Sequence, residues 1–301
     1  MLDKIIIAIL SAVTALLSVV YVPSNVTPLT REPAGTPGVQ QEVTVMSYNL
    51  RCTGSDEQAP AARAPLVAQD IARYAPDSFG AQECTAEWFD LLDEIAPAYA
   101  HVGAPRYLFF GEASPVYYLK DKFDLVDSGT FWLSLTPSIP SRFPDAQFNR
   151  VCTYAVLRDK ATGFTYAHFN THLDHRGYYA RMEAAAVISE KIAAVCPDLP
   201  VVLTGDLNLR EGTEEAARFL SIGFENVRVT AAERENADAS TFHNYGTVEG
   251  EIIDFIFTNP AFLVEAERYV TDLSCYDGIY PSDHHPIAAT MILQDYETEA
   301  N

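Results

Sequence analysis

Short apolar runs rich in β-branched residues recur along the chain, and several of them stop on a polar residue. Leu199, Val201, Val202 and Leu203 make one such run in the stretch "LPVVLTGDLNL". It is too short for an ordinary helix and apolar on both faces, as a central strand is. It runs through Gly205 into Asp206 and Asn208. Alternation along a strand puts those two side chains on one side and Leu207 on the other. An Asx turn, in which each side chain caps its own backbone, accounts for an isolated Asp-x-Asn.

The pattern is not isolated. "VTVMSYNL" ends its apolar run at Asn49, "PDSFGAQE" at Glu83, and "FTYAHFNTHLDH" at His172 and Asp174. "IIDFIF" places Asp254 among aliphatic and aromatic neighbours, which is costly unless the carboxylate is paired or ligating. "YPSDHHPI" sets Asp283 and His284 just ahead of a last strand, "PIAATMIL". Each case alone has an ordinary explanation as a turn former, a cap or a core histidine. Together they predict one polar site where several strand ends converge.

Between these runs the period changes. "RAPLVAQDIARY" carries Leu66, Val67, Ile71 and Tyr74 at helical spacing, and "RMEAAAVISEKIAAVC" repeats this with Val187, Ile188, Ile192 and Val195. "RVCTYAVLRD" and "FTYAHFNTHL", joined by a turn from Lys160 to Gly163, predict a β-hairpin. Strands joined alternately by hairpins and helices predict two packed sheets with helices outside. Tyr117 and Tyr118 are expected in the core.

The ordered segments "SYNLR", "GAQE", "NTHLDH", "TGDLN", "IDFIF" and "SDHHP" resemble the endonuclease/exonuclease/phosphatase superfamily, over residues from about 42 to about 294. The resemblance implies an α/β fold, a four-layer αββα sandwich, and metal-dependent hydrolysis of a phosphoester. It leaves the substrate open, because one fold and one motif set serve many substrates. Oxygen donors are hard ligands, so Asn49, Glu83 and Asp283 suit Mg²⁺ or Mn²⁺ better than zinc. By the same resemblance Asp206 and Asn208 position a water, His284 contacts the phosphoryl group or acts as base, Asp254 orients His284, and His172 is a second donor to the phosphate. Arg51 and Arg150 are expected to clamp the phosphate, with Asp174 as a further substrate contact, and His175 and His285 are expected at the rim.

Composition divides the chain. Residues 5–22 are 18 uncharged, mostly apolar positions after Lys4. As a helix they would span about 27 Å, close to the roughly 30 Å hydrocarbon core of a bilayer. The expectation is a signal-anchor or signal peptide over 1–22, a Pro/Thr/Gly-rich linker over 23–41, and one catalytic domain over 42–301, held outside the cytoplasm. The formal net charge is −21, and Asp3, Lys4, Arg31 and Glu32 cancel within the first 41 residues, so the whole excess falls on the domain. With no basic cluster, duplex nucleic acid is disfavoured as a partner and a small phosphoester favoured. The five cysteines contain no Cys-x-x-Cys pair and predict neither a zinc site nor a definite disulfide, though Cys52 and Cys84 are candidates to be neighbours. A monomer is expected.

Overall fold

The computed structural model describes residues 24–29 and 36–297 of the 301-residue chain. Thirteen strands form two mixed sheets. The first contains β1 (Thr36–Asn49), β2 (Ser78–Gln82), β3 (Tyr99–Val102), β4 (Val116–Leu119), β10 (Glu233–Glu235), β12 (Leu263–Thr271) and β13 (Ile287–Glu297), in the order β10-β12-β13-β1-β2-β4-β3. The second contains β5 (Phe123–Trp132), β6 (Val151–Asp159), β7 (Thr165–His172), β8 (Val201–Asp206), β9 (Glu225–Asn226) and β11 (Asp254–Thr258), in the order β5-β6-β7-β8-β11-β9. β6 and β7 are the expected hairpin.

Strand alternation builds three apolar layers. On β1, Val43 and Val45 enter the layer between the sheets, while Met46 and Tyr48 pack outward with Val67, Ile71, Trp88 and Leu92 of α1 (Pro60–Tyr74) and α2 (Ala86–Ile95). On β8, Val202 faces inward, and Val201 and Leu203 pack against Ile188 and Phe219 of α3 (Tyr178–Val195) and α4 (Glu214–Ser221). Tyr117 packs on Phe79 in the outer layer, rings 4.8 Å apart. Three apolar layers between four structural ones make the αββα sandwich.

The inner layer changes chemistry along its length. Val43 and Val45 give way on the same face to Ser47 and Asn49, Val202 to Thr204 and Asp206, and Tyr166 to His168, Asn170 and His172. The mid-layer polar groups bond within the second sheet, through Thr204, and across to the first, through Ser78, Ala81, Gln82 and Pro115. Asn170 Oδ1 accepts from Gln82 Nε2 at 2.7 Å and Thr204 Oγ1 at 3.1 Å, and its Nδ2 donates to the carbonyls of Ala81 and Pro115. His168 bonds Ser78 Oγ at 2.7 Å and Thr204 Oγ1 at 2.8 Å. These bonds satisfy polar groups that would otherwise be stranded, and they set the sheet separation just below the site.

Burial holds the His168 pKa down at about 3. Unfolded, the ring titrates near 6.5. Between those values the unfolded chain binds a proton that the folded chain does not, so this contribution to stability is complete above about pH 6.5 and is lost as pH falls toward 3. Asp70, held up at about 6 mainly by burial, gives an opposing slope in the upper part of that window. Denaturant unfolding of His168→Gln is therefore expected to show a shallower fall in stability between pH 6.5 and 4 than the parent, by up to about 1.4 kcal/mol per pH unit.

The amino-terminal boundary differs from the compositional reading. β1 begins at Thr36, and Gln40, Gln41 and Glu42 pair with Gln294, Leu293 and Ile292 of β13. Residues 24–29 also lie on the domain. Ser24 N–H donates to Glu183, Thr27 N–H to Ser189 Oγ and Leu29 N–H to the Ile222 carbonyl, with Leu29 buried in the layer over α3. The Pro and Thr content suggested a free tether, but Val26 and Leu29 provide enough apolar surface to pack. The apolar run 5–22 lies outside the described residues. Among the described residues no helix is long and apolar enough to cross a membrane. Cys52 and Cys84 are not joined, and all five cysteines are free thiols.

Candidate active site

The ends of β1, β7, β8 and β11 bring Asn49, His172, Asp206 and Asp254 together, and the loop before β13 adds His284. Asp206 is at the centre. Its Oδ2 accepts from Asn49 Nδ2 at 2.9 Å and lies 3.4 Å from His172 Nε2 and 3.8 Å from His284 Nε2. Its Oδ1 accepts the Asn208 N–H at 3.0 Å. That last bond is the Asx turn weighed above, so the turn and the site are one arrangement. Asn208 lies beyond the strand at φ 49°, not in extended alternation, and its Nδ2 donates to the Leu173 carbonyl while its side chain lines the cleft.

His284 Nδ1 donates to Asp254 Oδ2 at 2.9 Å, since a carboxylate oxygen can only accept. The bond leaves Nε2 directed toward Asp206. Burial opposes charge on the ring, but Asp254, with Asp206 and Asp283 near, outweighs it and raises the His284 pKa. Burial, then the Asp254 charge, raises that of Asp206. His172 goes the other way. Burial, then Arg150 and His284, keep its ring neutral.

Glu83 and Asp283 line the same cleft from the other side. Glu83 Oε1 is 3.4 Å from Asn49 Nδ2, and Oε2 accepts the Cys52 N–H at 2.9 Å. Burial works against the Glu83 charge, but the Cys52 hydrogen bonds and Arg51 outweigh it and lower its pKa. Burial raises that of Asp283, with Glu83 adding to it and Arg51, 3.5 Å away, opposing it. Arg51 and Glu83 both sit at positive φ, 55° and 56°, where the chain leaves its strand and turns the side chain into the cleft. Arg63 fastens these loops from beneath. Its guanidinium donates to the carbonyls of Leu50, Arg51 and Pro281 at 2.6–2.8 Å.

Two buried carboxylates, both hard donors, fit Mg²⁺ or Mn²⁺, and a cation there would relieve the mutual repulsion of Glu83 and Asp283. Asn49, expected as a third ligand, instead turns its Nδ2 toward Glu83 while its Oδ1 accepts the Arg51 N–H at 3.0 Å. Asp206, Asp254 and His284 also place one ligand atom each within 4.8 Å of one another. His284 Nδ1 and Asp254 Oδ2, however, already share a hydrogen bond, and this trio reads better as a proton-handling group.

The remaining floor of the cleft, whose volume is about 730 Å³, is cationic. Arg106 makes a two-pronged pair with Glu112, both contacts 2.8 Å, and its guanidinium lies 4.4 Å from the Phe148 ring centre. Arg150 is buried, with Glu112 at 3.7 Å and Asp174 at 4.0 Å, and its Nε has no hydrogen-bond partner among the described residues. A buried guanidinium so poorly satisfied at a cleft floor suits an anion.

Asp174 does not fill the expected role of substrate contact. Its two oxygens accept the N–H groups of Gln147, Phe148, Arg176 and Gly177, which use its lone pairs. It clamps the loop that presents Phe148 and Arg150. His175 lines the cleft as expected, whereas His285 stacks on His243, rings 3.9 Å apart, outside it. Sequence reasoning missed Arg106, Glu112 and Phe148, because they lie in loops where no periodicity marks a facing side.

The Endonuclease/Exonuclease/phosphatase family pattern matches residues 46–284. Among solved structures, a family protein from Bacteroides thetaiotaomicron is 32% identical, with TM-score 0.79, covering 84% of this chain and 98% of its own. The mannosyl-6-phosphatase of the same organism is 33% identical, with TM-score 0.77 and coverage of 83% and 99%. A Bacteroides vulgatus protein described as endonuclease/exonuclease/phosphatase is 30% identical, with TM-score 0.80 and coverage of 84% and 99%. No curated protein matches the chain. With the fold, the strand-end cluster and the family pattern in agreement, the chain belongs to the endonuclease/exonuclease/phosphatase family and has its phosphoester-hydrolase fold.

Proposed function

We propose that the protein is a divalent-metal-dependent phosphoesterase that hydrolyses a small phosphoester, with a sugar phosphomonoester as the favoured substrate. The observation that carries this reading is the convergence of Asn49, Glu83, Asp206, Asp254, Asp283 and His284 beside the buried Arg150. Asp206, raised toward neutral pH and held by Asn49, orients the attacking water and takes its proton as the bond from phosphorus to the ester oxygen breaks, and the departing alkoxide takes a proton from the surrounding water. His284, charged through Asp254, donates to a phosphoryl oxygen. Arg150 and the neutral His172 hold the remaining phosphate oxygens, and Arg51 approaches from the rim. Mg²⁺ or Mn²⁺ held by Glu83 and Asp283 would supply charge to the developing transition state.

The similarity to a mannosyl-6-phosphatase supports a sugar phosphate. The net charge of −21 supports a substrate with few phosphates, because such a surface repels a long polyanion. A panel of phosphomonoesters, phosphodiesters and duplex DNA is expected to give Mg²⁺-dependent hydrolysis, abolished by chelator, with kcat/KM lowest for DNA. A preference for DNA would overturn the substrate class, and no metal-dependent hydrolysis of any compound would overturn the enzyme.

Residues 1–22 are proposed to hold the domain at a membrane, on its outer face, or to direct its export. Fractionation should find the domain outside the cytoplasm. Full-length chain with an intact amino terminus in the soluble cytoplasmic fraction would contradict this.

A further inference from the structure

The cleft continues beyond the phosphate-handling groups to a second polar wall that the proposed chemistry does not use. Arg181, on α3, and Glu215, on α4, face each other there, with Arg181 Nη2 at 2.9 Å and Nε at 3.3 Å from Glu215 Oε1. Arg181 Nη1 is tied to the Asp174 carbonyl at 2.7 Å. Both side chains are only about a tenth exposed, at 12% and 11%. The Thr213 hydroxyl caps α4 by accepting the Ala216 N–H and holds Glu215 in the first turn. The pair is therefore rigid, and the same loop that Asp174 clamps brings the Phe148 ring to the cleft.

This chemistry selects among leaving groups. Both hydrogen bonds that Glu215 accepts from Arg181 go to Oε1, which leaves Oε2 as an acceptor. Arg181 uses three of the five N–H donors of a guanidinium, which leaves donors beside that acceptor. A second phosphate would meet the Glu215 charge, and an apolar group would cover both ions without replacing their water. Adjacent hydroxyls on a ring satisfy both, one donating to the carboxylate and its neighbour accepting from the guanidinium. We propose that Arg181 and Glu215 form a leaving-group subsite that recognises neighbouring hydroxyls of a polyol ring, such as a hexose. The proposal rests on the phosphoesterase reading and narrows its substrate.

The test compares a hexose 6-phosphate with p-nitrophenyl phosphate, which carries the same phosphate on a leaving group without hydroxyls, using full-length enzyme with Mg²⁺. Glu215→Ala is expected to lower kcat/KM for the hexose phosphate by about tenfold or more while leaving the aryl phosphate within about twofold. Glu215→Gln, which keeps shape and one oxygen, should fall between. Equal loss on both substrates, or loss on neither, would overturn the subsite. So would a parent enzyme that cleaves the aryl phosphate but not the hexose phosphate, although the phosphoesterase reading would stand. If the parent cleaves neither, that reading fails, and calorimetric binding of hexose 6-phosphate in chelator decides the subsite separately. Tighter binding by the parent than by Glu215→Ala supports it, and equal or absent binding overturns it.

Discussion

Glu83→Gln and Asp283→Asn are each expected to lower kcat/KM at saturating Mg²⁺ by more than a hundredfold. The expectation follows from ligand chemistry. Loss of an outer partner of a metal ligand costs about 10–100-fold, so loss of a charged ligand should cost more. Both side chains point into the cleft, and each is buried. The fold should persist, because Glu83 raises the cost of charge on Asp283 and either amide removes that repulsion. Gln at position 83 can still accept the Cys52 N–H. Thermal unfolding without metal should therefore be unchanged or slightly raised in Asp283→Asn and slightly lowered in Glu83→Gln, whose charge the Cys52 hydrogen bonds and Arg51 favour in the folded state, even as activity collapses. Near-normal turnover in both variants would remove these residues from the metal site, and a fall in activity matched by unfolding would make them structural.

Asp254→Ala and His284→Ala are expected to be strongly non-additive. Loss of a general acid or base costs about 10²–10⁴-fold, and each single variant should fall in that range. The 2.9 Å contact makes the two side chains one unit, since Asp254 fixes which nitrogen of His284 carries the proton and keeps the ring charged. Once the ring is gone, the carboxylate has nothing left to orient. The double variant should lose little more than the worse single. Asp254→Asn should shift the pH dependence of kcat toward lower pH on its alkaline limb, because the neutral amide no longer holds the His284 proton. A double variant whose loss equals the product of the single losses would separate the pair.

The centre of the site was legible along the chain for a local reason. Asn49, His172, Asp206 and Asp254 lie at strand termini, and alternation by two sends each to the face that Val45, Tyr166, Val202 and Ile256 occupy deeper in the layer. A polar residue that ends an apolar file is visible in one dimension. Asn208 shows where that reasoning stops, since the strand ends at Asp206 and a left-handed residue breaks the alternation. Asp174 shows a second limit. Its place in "NTHLDH" suggested substrate, but the backbone N–H groups that saturate it come partly from residues 147 and 148, a loop distant in sequence.

The sequence by itself determined the two sheets, the helices outside them and the identity of the central acids and histidines, because periodicity and strand-end chemistry are properties of neighbouring residues. Only the tertiary structure decided the rest. It brought Arg106 and Arg150 to one floor around Glu112, set Arg181 against Glu215 from different helices, and fastened the site loops through the buried Arg63. It also laid residues 24–29 on the domain that composition had separated from them. Ion pairs and loop clamps of this kind join positions far apart along the chain, and no local period records which of them will meet.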